Sequence, residues 1–541
     1  MITDMNITQF LTRHFGRLSG IWAARRTIGT STFSLLLMGY LIACNKTNDG
    51  ITPGGTTGGT TGGTSTTTTS ASVKIDSTIT SAGTPEGNQD KAVNADDVLA
   101  NSTFTSIVAI NFGNSISISN PLSAAGVAIT QANGDVIINS TATGVEYVLS
   151  GTTTNGSVKV YSDKKFKLSL NGVNITNADG PAINIQSGKR AFVVLTDNTT
   201  NTLADGSAYT ASGTEDMKGT FFSEGQLIFS GKGSLSVKGN YKHAICSDDY
   251  VRVVSGTITV IGAVSDGIHT KDAFIADGGT LLLTTSNDGI QCDEGYIVIN
   301  GGAFTINVVD KGISASYDTD TTIDPYLTIN GGTINITSSG GEGIESKSVL
   351  TVNNGIITVK TKDDGMNAKT FIYINGGTIY AYSTSNDAID SNGKLTVTGG
   401  RVIAVGSTAP EEGFDCDRNT FKITGGILVG VAGATSTPTA SVCTQASVML
   451  GSGTANQVIN IQSSDGTEAL TFLIPRSYAT MLFSSPKLKV GQTYKVFAGG
   501  SVTDGTNVNG LYTSGSYSGG KQSTTFTTSS LVTKAGGSTG P

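Results

Sequence analysis

Apolar and polar residues alternate in short bursts along most of this chain, and between Lys242 and Gly433 the bursts recur on a fixed beat. Many are split by a Gly-Gly-Thr-Ile turn or a variant of it, whose second glycine falls at Gly256, Gly279, Gly302, Gly332, Gly355, Gly377, Gly400 and Gly426. Ahead of the turn stand pairs such as Val251 and Val253, Ile297 and Ile299, or Leu395 and Val397. Behind it stand Ile258 and Val260, Ile334 and Ile336, or Ile379 and Ala381. A period of two marks short strands with one face turned inward. A second element, acid-Gly-Ile-x-small, keeps the same beat in SDGIHT, NDGIQC, GEGIES, DDGMNA, NDAIDS and EEGFDC, with looser copies in KHAICS and DKGISA. Its apolar centres are Ile245, Ile268, Ile290, Ile313, Ile344, Met366, Ile389 and Phe414, so one step alone, from Ile313 to Ile344, is much longer than the rest.

A unit of about 22 residues with three short strands cannot bury its inner face by itself, whereas stacked copies share one apolar column. The pattern therefore predicts an all-β fold, a right-handed parallel β-helix with a C-terminal β-rich cap. A leucine-rich repeat would need helical residues and a fixed Leu spacing, and a propeller blade about twice this period. The long step holds an insertion, SYDTDTTIDP, whose Asp318, Asp320 and Asp324 are further candidate metal ligands.

The rest of the chain divides by composition. Arg25 and Arg26 precede an apolar run ending in Leu41-Ile42-Ala43-Cys44, which resembles a bacterial lipoprotein signal and implies lipidation at Cys44. Residues 1–44 are read as that signal, 45–75 as a Gly/Thr/Ser tether, 76–240 as a β-rich region entering the helix, 241–435 as the coils, 436–530 as the cap and 531–541 as a tail. The expected location is the bacterial cell surface or periplasm, held to the membrane by the lipid, as a monomer. With 71 Gly against 10 Pro the composition suits many tight turns. Charged residues make up 14% and the net charge is −7, which argues against nucleic-acid binding. Cys246, Cys292, Cys416 and Cys443 form no CxxC pairs; only Cys416 with Cys443 is a conceivable disulfide.

Aligning coils on the apolar centre places Asp266, Asp288, Glu342, Asp364, Asp387 and Glu412 at one corner, two residues before it. His269, Gln291, Ser314, Glu345, Asn367, Asp390 and Asp415 follow the centre and face outward. Stacked positions lie about 4.8 Å apart, where two carboxylates repel by roughly 3.5 kcal/mol at an effective dielectric of 20. Ca²⁺, which takes irregular cages of oxygen ligands, would relieve this. The candidate ligands are Asp266, Asp288, Glu342, Asp364, Asp387, Asp390, Glu412 and Asp415; the alternative is that Asp-Gly and Asn-Asp only make turns. Lys311, His243-Ala244 and Asp387-Ala388 depart from the acid-Gly pattern and put ion sites at their coils in doubt. Phe371, Tyr373, Tyr380 and Tyr382 should face outward from one coil, either as a platform for sugar rings or packed beneath a loop or the cap.

The ordered series of motifs resembles the bacterial carbohydrate-binding β-helix proteins, related in shape to the family-nine polysaccharide lyases. It runs through GVEYVLSGTTTNGSVKVY, KLSLNGVNITNADGPAINI and VVLTDNTTNTLADG, then the lead-in GKGSLSVKGNYKHAICSDD, and after the coils SSPKLKVGQTYKVFAGG and GLYTSGSYSGG. The resemblance implies binding of extracellular polysaccharide and Ca²⁺. Three readings follow: a non-catalytic polysaccharide binder, a Ca²⁺-dependent lyase using Lys271, Lys347 or Lys369 as base, and an adhesive stalk.

Overall fold

The computed structural model describes residues 68–77, 80–317 and 319–539; the signal, Cys44, Asp318 and most of the tether lie outside them. The described chain is nearly all β, a β-solenoid of about 13 turns with about 23 residues per turn. Three parallel ladders run along it. The corner ladder stacks the expected apolar centres in register, Ile245 on Ile268, then Ile290, Ile313, Ile344, Met366, Ile389 and Phe414. All are fully buried.

The parallel ladders do not begin at Lys242. The same column continues backward from Ile245 through Phe221, Ile183 and Val158 to Val136. Much of 76–240 is thus solenoid rather than an entry region. These early coils lack the acid-Gly-Ile run, and one of them is built on a single long strand, Phe166–Thr176, that serves two ladders at once. At the regular turns the second glycine has positive φ, 103° at Gly302 and 95° at Gly332, and a Cβ there would meet the carbonyl of the glycine one coil back at 2.9 Å. Only glycine meets both conditions.

The last coil strand, Ile427–Ala432, pairs antiparallel with Thr480–Ser484. Beyond it an antiparallel sheet, including Val458–Ser463, Glu468–Leu473, Thr493–Ala498 and Lys521–Thr527, forms the cap. Such a cap removes the open strand edge of a solenoid, which would otherwise invite pairing with another chain.

The tether is shorter than 45–75. Thr69 bridges to Lys521, and Val73–Asp76 pairs antiparallel with Ser514–Ser518, burying Ile75 in the cap. The chain then runs back along the solenoid as a strap over a ladder of asparagines. Asn330, Asn353 and Asn375 each donate Nδ2 to the Oδ1 of the preceding rung, Asn300, Asn330 and Asn353, at 2.8–2.9 Å. The second proton of each amide reaches the strap: Asn300 donates to Lys91 O, Asn330 to Asp90 O, Asn353 to Asn88 O and Asn375 to Glu86 O, at 2.7–3.0 Å. The strap ends on buried Asp97, which receives Arg190 Nε at 2.8 Å, Tyr250 OH at 2.6 Å and Arg252 Nη1 at 3.3 Å. Four buried cysteines, Cys246, Cys292, Cys416 and Cys443, are free, so Cys416 and Cys443 form no bridge.

Candidate functional site

The acidic corner is built by hydrogen bonding before it is built by charge. One carboxylate oxygen of a corner acid accepts the backbone N–H of the same position one coil on: Asp266 from Asp288 at 3.2 Å, Asp288 from Lys311 at 2.8 Å, Asp364 from Asp387 at 3.1 Å, and Asp387 from Glu412. The acid therefore does satisfy a turn, but the turn of its neighbour. The partners of the other oxygen differ along the column.

At the early end, Asp266 Oδ2 lies 3.1 Å from His243 Nδ1 and 2.9 Å from His269 Nδ1. Burial opposes ionisation of Asp266, yet hydrogen bonding and charge from the neighbouring imidazoles hold its carboxyl well below the usual range; burial pushes His243 down to about 4, so His269 is the charged ring of the pair. Midway, Lys311 approaches Glu342 at 3.6 Å and Glu345 at 3.9 Å, so the residue that breaks the acid pattern supplies the cation its neighbours need. Asp288 is buried without a cation so close, and burial with the charge of Asp266 pushes it up to about 7.

Toward the cap the compensation stops. Asp364, Asp387 and Asp390 bring one oxygen each to within 4.8 Å of one another, and none of them forms an ion pair among the described residues. Asn367 Nδ2 bridges Asp364 at 3.0 Å and Asp390 at 2.7 Å, and Asn392 Nδ2 donates to Asp390 at 3.0 Å. Burial, then the charge of nearby carboxylates, pushes Asp364 up to about 7 and Asp387 and Asp390 up to about 8. Glu412 is likewise raised to about 8, and its buried Oε2 has no hydrogen-bond partner. Asp415 stacks on Asp390 and accepts from Ser436 Oγ at 3.0 Å. Of the eight candidate ligands, then, the structure gathers Asp364, Asp387 and Asp390, sets Glu412 and Asp415 on the next coil, gives Asp266 and Glu342 cationic partners, and leaves Asp288 buried without one among the described residues. A set of buried oxygens short of positive charge fits a hard divalent ion.

The inserted loop contacts residues just past the short corner strands, after Cys292, Ser346 and Ala368. Tyr317 lies with its ring 5.0 Å from Lys369 Nζ and its OH 2.6 Å from it, and Thr319 donates twice to Glu294. Asp320 accepts from Thr322 within its own turn, and Asp324 accepts from Ser348 Oγ, so both serve the loop.

The four aromatics do not make one platform. Alternation is as expected, with Ile372, Ile374, Ile379 and Ala381 inside, but a further layer covers the outer side. Tyr380 is 8% exposed and joins the cap's core with Ile403, Val429 and Phe483, while Tyr382 packs at its margin beneath Arg476. Tyr373 faces the strap at Gly87, and Phe371 lies beside it, with Lys394 over its ring. The strap and cap carry no repeat of their own, so the alternation of apolar residues did not show this second layer.

Fold and corner together define a β-solenoid with a charged edge, and family comparison adds the class. The chain matches the family model of carbohydrate-binding domain-containing proteins over residues 132–409 and 324–503, and it belongs to that family. A carbohydrate-binding domain-containing protein of Acetivibrio thermocellus is 32% identical over 118 residues, 21% of this chain and 41% of that relative, so the match spans less than half of the relative's length. Among solved structures, a polysaccharide lyase-like protein from C. thermocellum, determined as a gadolinium derivative, aligns over 54% of this chain and 96% of its own, with a TM-score of 0.33 and 20% identity.

Proposed function

We propose that this is a non-catalytic polysaccharide-binding protein of the bacterial cell surface, anchored through Cys44, whose acidic corner holds Ca²⁺ and takes its ligand there. Family membership supports the carbohydrate. The observation that carries the site is the gathering of Asp364, Asp387 and Asp390 without a protein cation, beside the unpartnered Oε2 of Glu412. Ca²⁺ bound by these side chains would supply positive charge at an otherwise repulsive edge and leave coordination positions for sugar hydroxyls or carboxylates. The inserted loop, with Tyr317 held over Lys369, would form a wall of that edge.

A lyase would need an unengaged base beside the ion. Lys347 is ion-paired to Glu345, Lys369 is hydrogen-bonded to Tyr317, and Lys271 lies on the coil of Ile268, four coils from that of Met366, which favours binding over catalysis. The test is affinity electrophoresis of the folded body through gels of neutral glucan and of polyuronate, with Ca²⁺ or EGTA. Retardation that needs Ca²⁺ and is lost in Asp364→Asn/Asp387→Asn is expected. Retardation equal in EGTA would remove the ion from the binding step, and release of unsaturated uronides would make the protein a lyase.

A further inference from the structure

We propose that His243, Asp266 and His269 form a second metal site, separate from the acidic corner near the cap and of different chemistry, for a borderline divalent ion of the Zn²⁺ class. In its own coil His243 occupies the corner position that Asp266 fills in the next, and His269 follows the apolar centre Ile268. This register stacks the two imidazoles with centroids 4.0 Å apart and planes 21° from parallel. Both present Nδ1 to the same oxygen, Asp266 Oδ2, at 3.1 and 2.9 Å. Around an ion with bonds of about 2.0–2.2 Å, ligand atoms sit roughly 3 to 3.5 Å from one another. Two of the three spacings are already those of ligands, and one donor atom of each side chain lies within 4.8 Å of the others; the near-parallel rings must tilt for both Nδ1 lone pairs to meet one ion.

Two further observations orient the set. Asp266 Oδ1 is committed elsewhere, accepting Asn287 Nδ2 at 2.7 Å and the Asp288 N–H at 3.2 Å, which leaves Oδ2 as the oxygen aimed at the imidazoles. His269 Nε2 lies 3.0 Å from Asp293 Oδ2, the carboxylate-behind-imidazole arrangement that fixes a ligating ring with Nδ1 toward the ion. His243 is 1% exposed and its Nε2 has no partner; its Nδ1 also accepts the Asp266 N–H at 3.4 Å, a long contact that an ion would replace. Two nitrogens and one carboxylate oxygen select Zn²⁺, Co²⁺ or Ni²⁺ over Ca²⁺. Three protein ligands leave a fourth position open to water or to a donor group of a ligand.

The test uses untagged, chelator-stripped protein titrated with Co²⁺ and followed by visible absorption, then by Zn²⁺ competition. Besides His243 and His269 the chain has only His14, so the background is small. Expected are d–d bands saturating at one Co²⁺ per chain at micromolar metal, displacement by Zn²⁺, and no displacement by excess Ca²⁺. Asp293→Asn should weaken the metal roughly 10- to 100-fold while leaving the circular dichroism spectrum unchanged, and His269→Gln should abolish the bands. Absence of bands from folded wild-type protein at micromolar Co²⁺ would overturn the site and leave a hydrogen-bonded triad. Equal affinity in His269→Gln would overturn it too. Neither result bears on Ca²⁺ at Asp364, Asp387 and Asp390.

Discussion

Asp266 and Asp387 occupy the same position of the same repeat, five coils apart, and meet opposite electrostatic fates. Asp266 is clasped by two imidazoles and stays ionised; Asp387 faces Asp364 and Asp390 and is driven toward its protonated form. Between them Lys311 serves Glu342 and Glu345. A repeat fixes where a side chain goes but not how its charge is balanced. The solenoid balances it locally, by histidine, then lysine, then toward the cap by no protein cation.

That contrast can be broken most forcefully at Asp266. Asp266→Ala leaves two buried imidazoles without their shared acceptor and should cost about 3–5 kcal/mol, as when one partner of a buried ion pair is removed. Hydrogen exchange should show the loss at the coils of Ile245 and Ile268 and spare those of Met366 and Ile389. Next in size is the response to Ca²⁺. At a hundredfold excess over Kd, a ligand bound only by the folded state adds about 2.7 kcal/mol. Calorimetry at pH 8 should show a higher Tm with Ca²⁺, reversal by EGTA, and no response in Asp364→Asn/Asp387→Asn. Without metal, that double variant should melt above the wild type at pH 8, because it lacks the repulsion.

Both ends should lose stability as pH rises, but over different windows. Asp364, Asp387 and Asp390 have folded pKa values near 7 to 8, above those of the unfolded chain, so the folded state binds more protons between about pH 4 and 8. Metal-free stability near the cap should therefore fall as pH rises through that window, and Ca²⁺ should flatten the fall. His269 is raised to about 9 by Asp266 and Asp293 against the pull of burial; its contribution is complete below about 6.5 and is lost as pH rises through 9. Exchange rates at the two ends, followed from pH 5 to 9.5, separate these profiles. The smallest effect is expected at the middle. Lys311→Met should cost about 1 kcal/mol, since the ion pairs are long and partly solvated. Its sharper readout is a new Ca²⁺ response at Glu342 and Glu345.

The inner column was legible because its period is enforced by stacking: from Ile245 to Phe414 every apolar centre lies where the spacing puts it. The corner acids were legible as a row, yet not their division. His243 read as a break in the acid-Gly pattern, whereas it fills the acid's own place and turns toward Asp266. The aromatics show the limit from the other side. Alternation gave Tyr380 its direction, but what covers it is the cap, distant in sequence and without repeat. The strap had one overlooked signal, the Asn of Ile-Asn-Gly-Gly at Asn300, Asn330 and Asn375. A half-buried amide ladder with one free proton per rung is satisfied by an acceptor running alongside.

The strap also imposes an order in time. Glu86 hydrogen-bonds Asn375, 289 residues on, and Ser70 meets Gln462, 392 residues on. A chain made from its N-terminus must hold this segment undocked until nearly everything it will lie against has been synthesised, because contacts across such separations form only after the chain between them is in place. Coils can stack as they emerge, but the asparagine ladder stays open to water until the last of them is built. Docking of the strap then marks a completed molecule, and a chain cut short before Ser514 would lack the strand Ser514–Ser518 on which Val73–Asp76 closes.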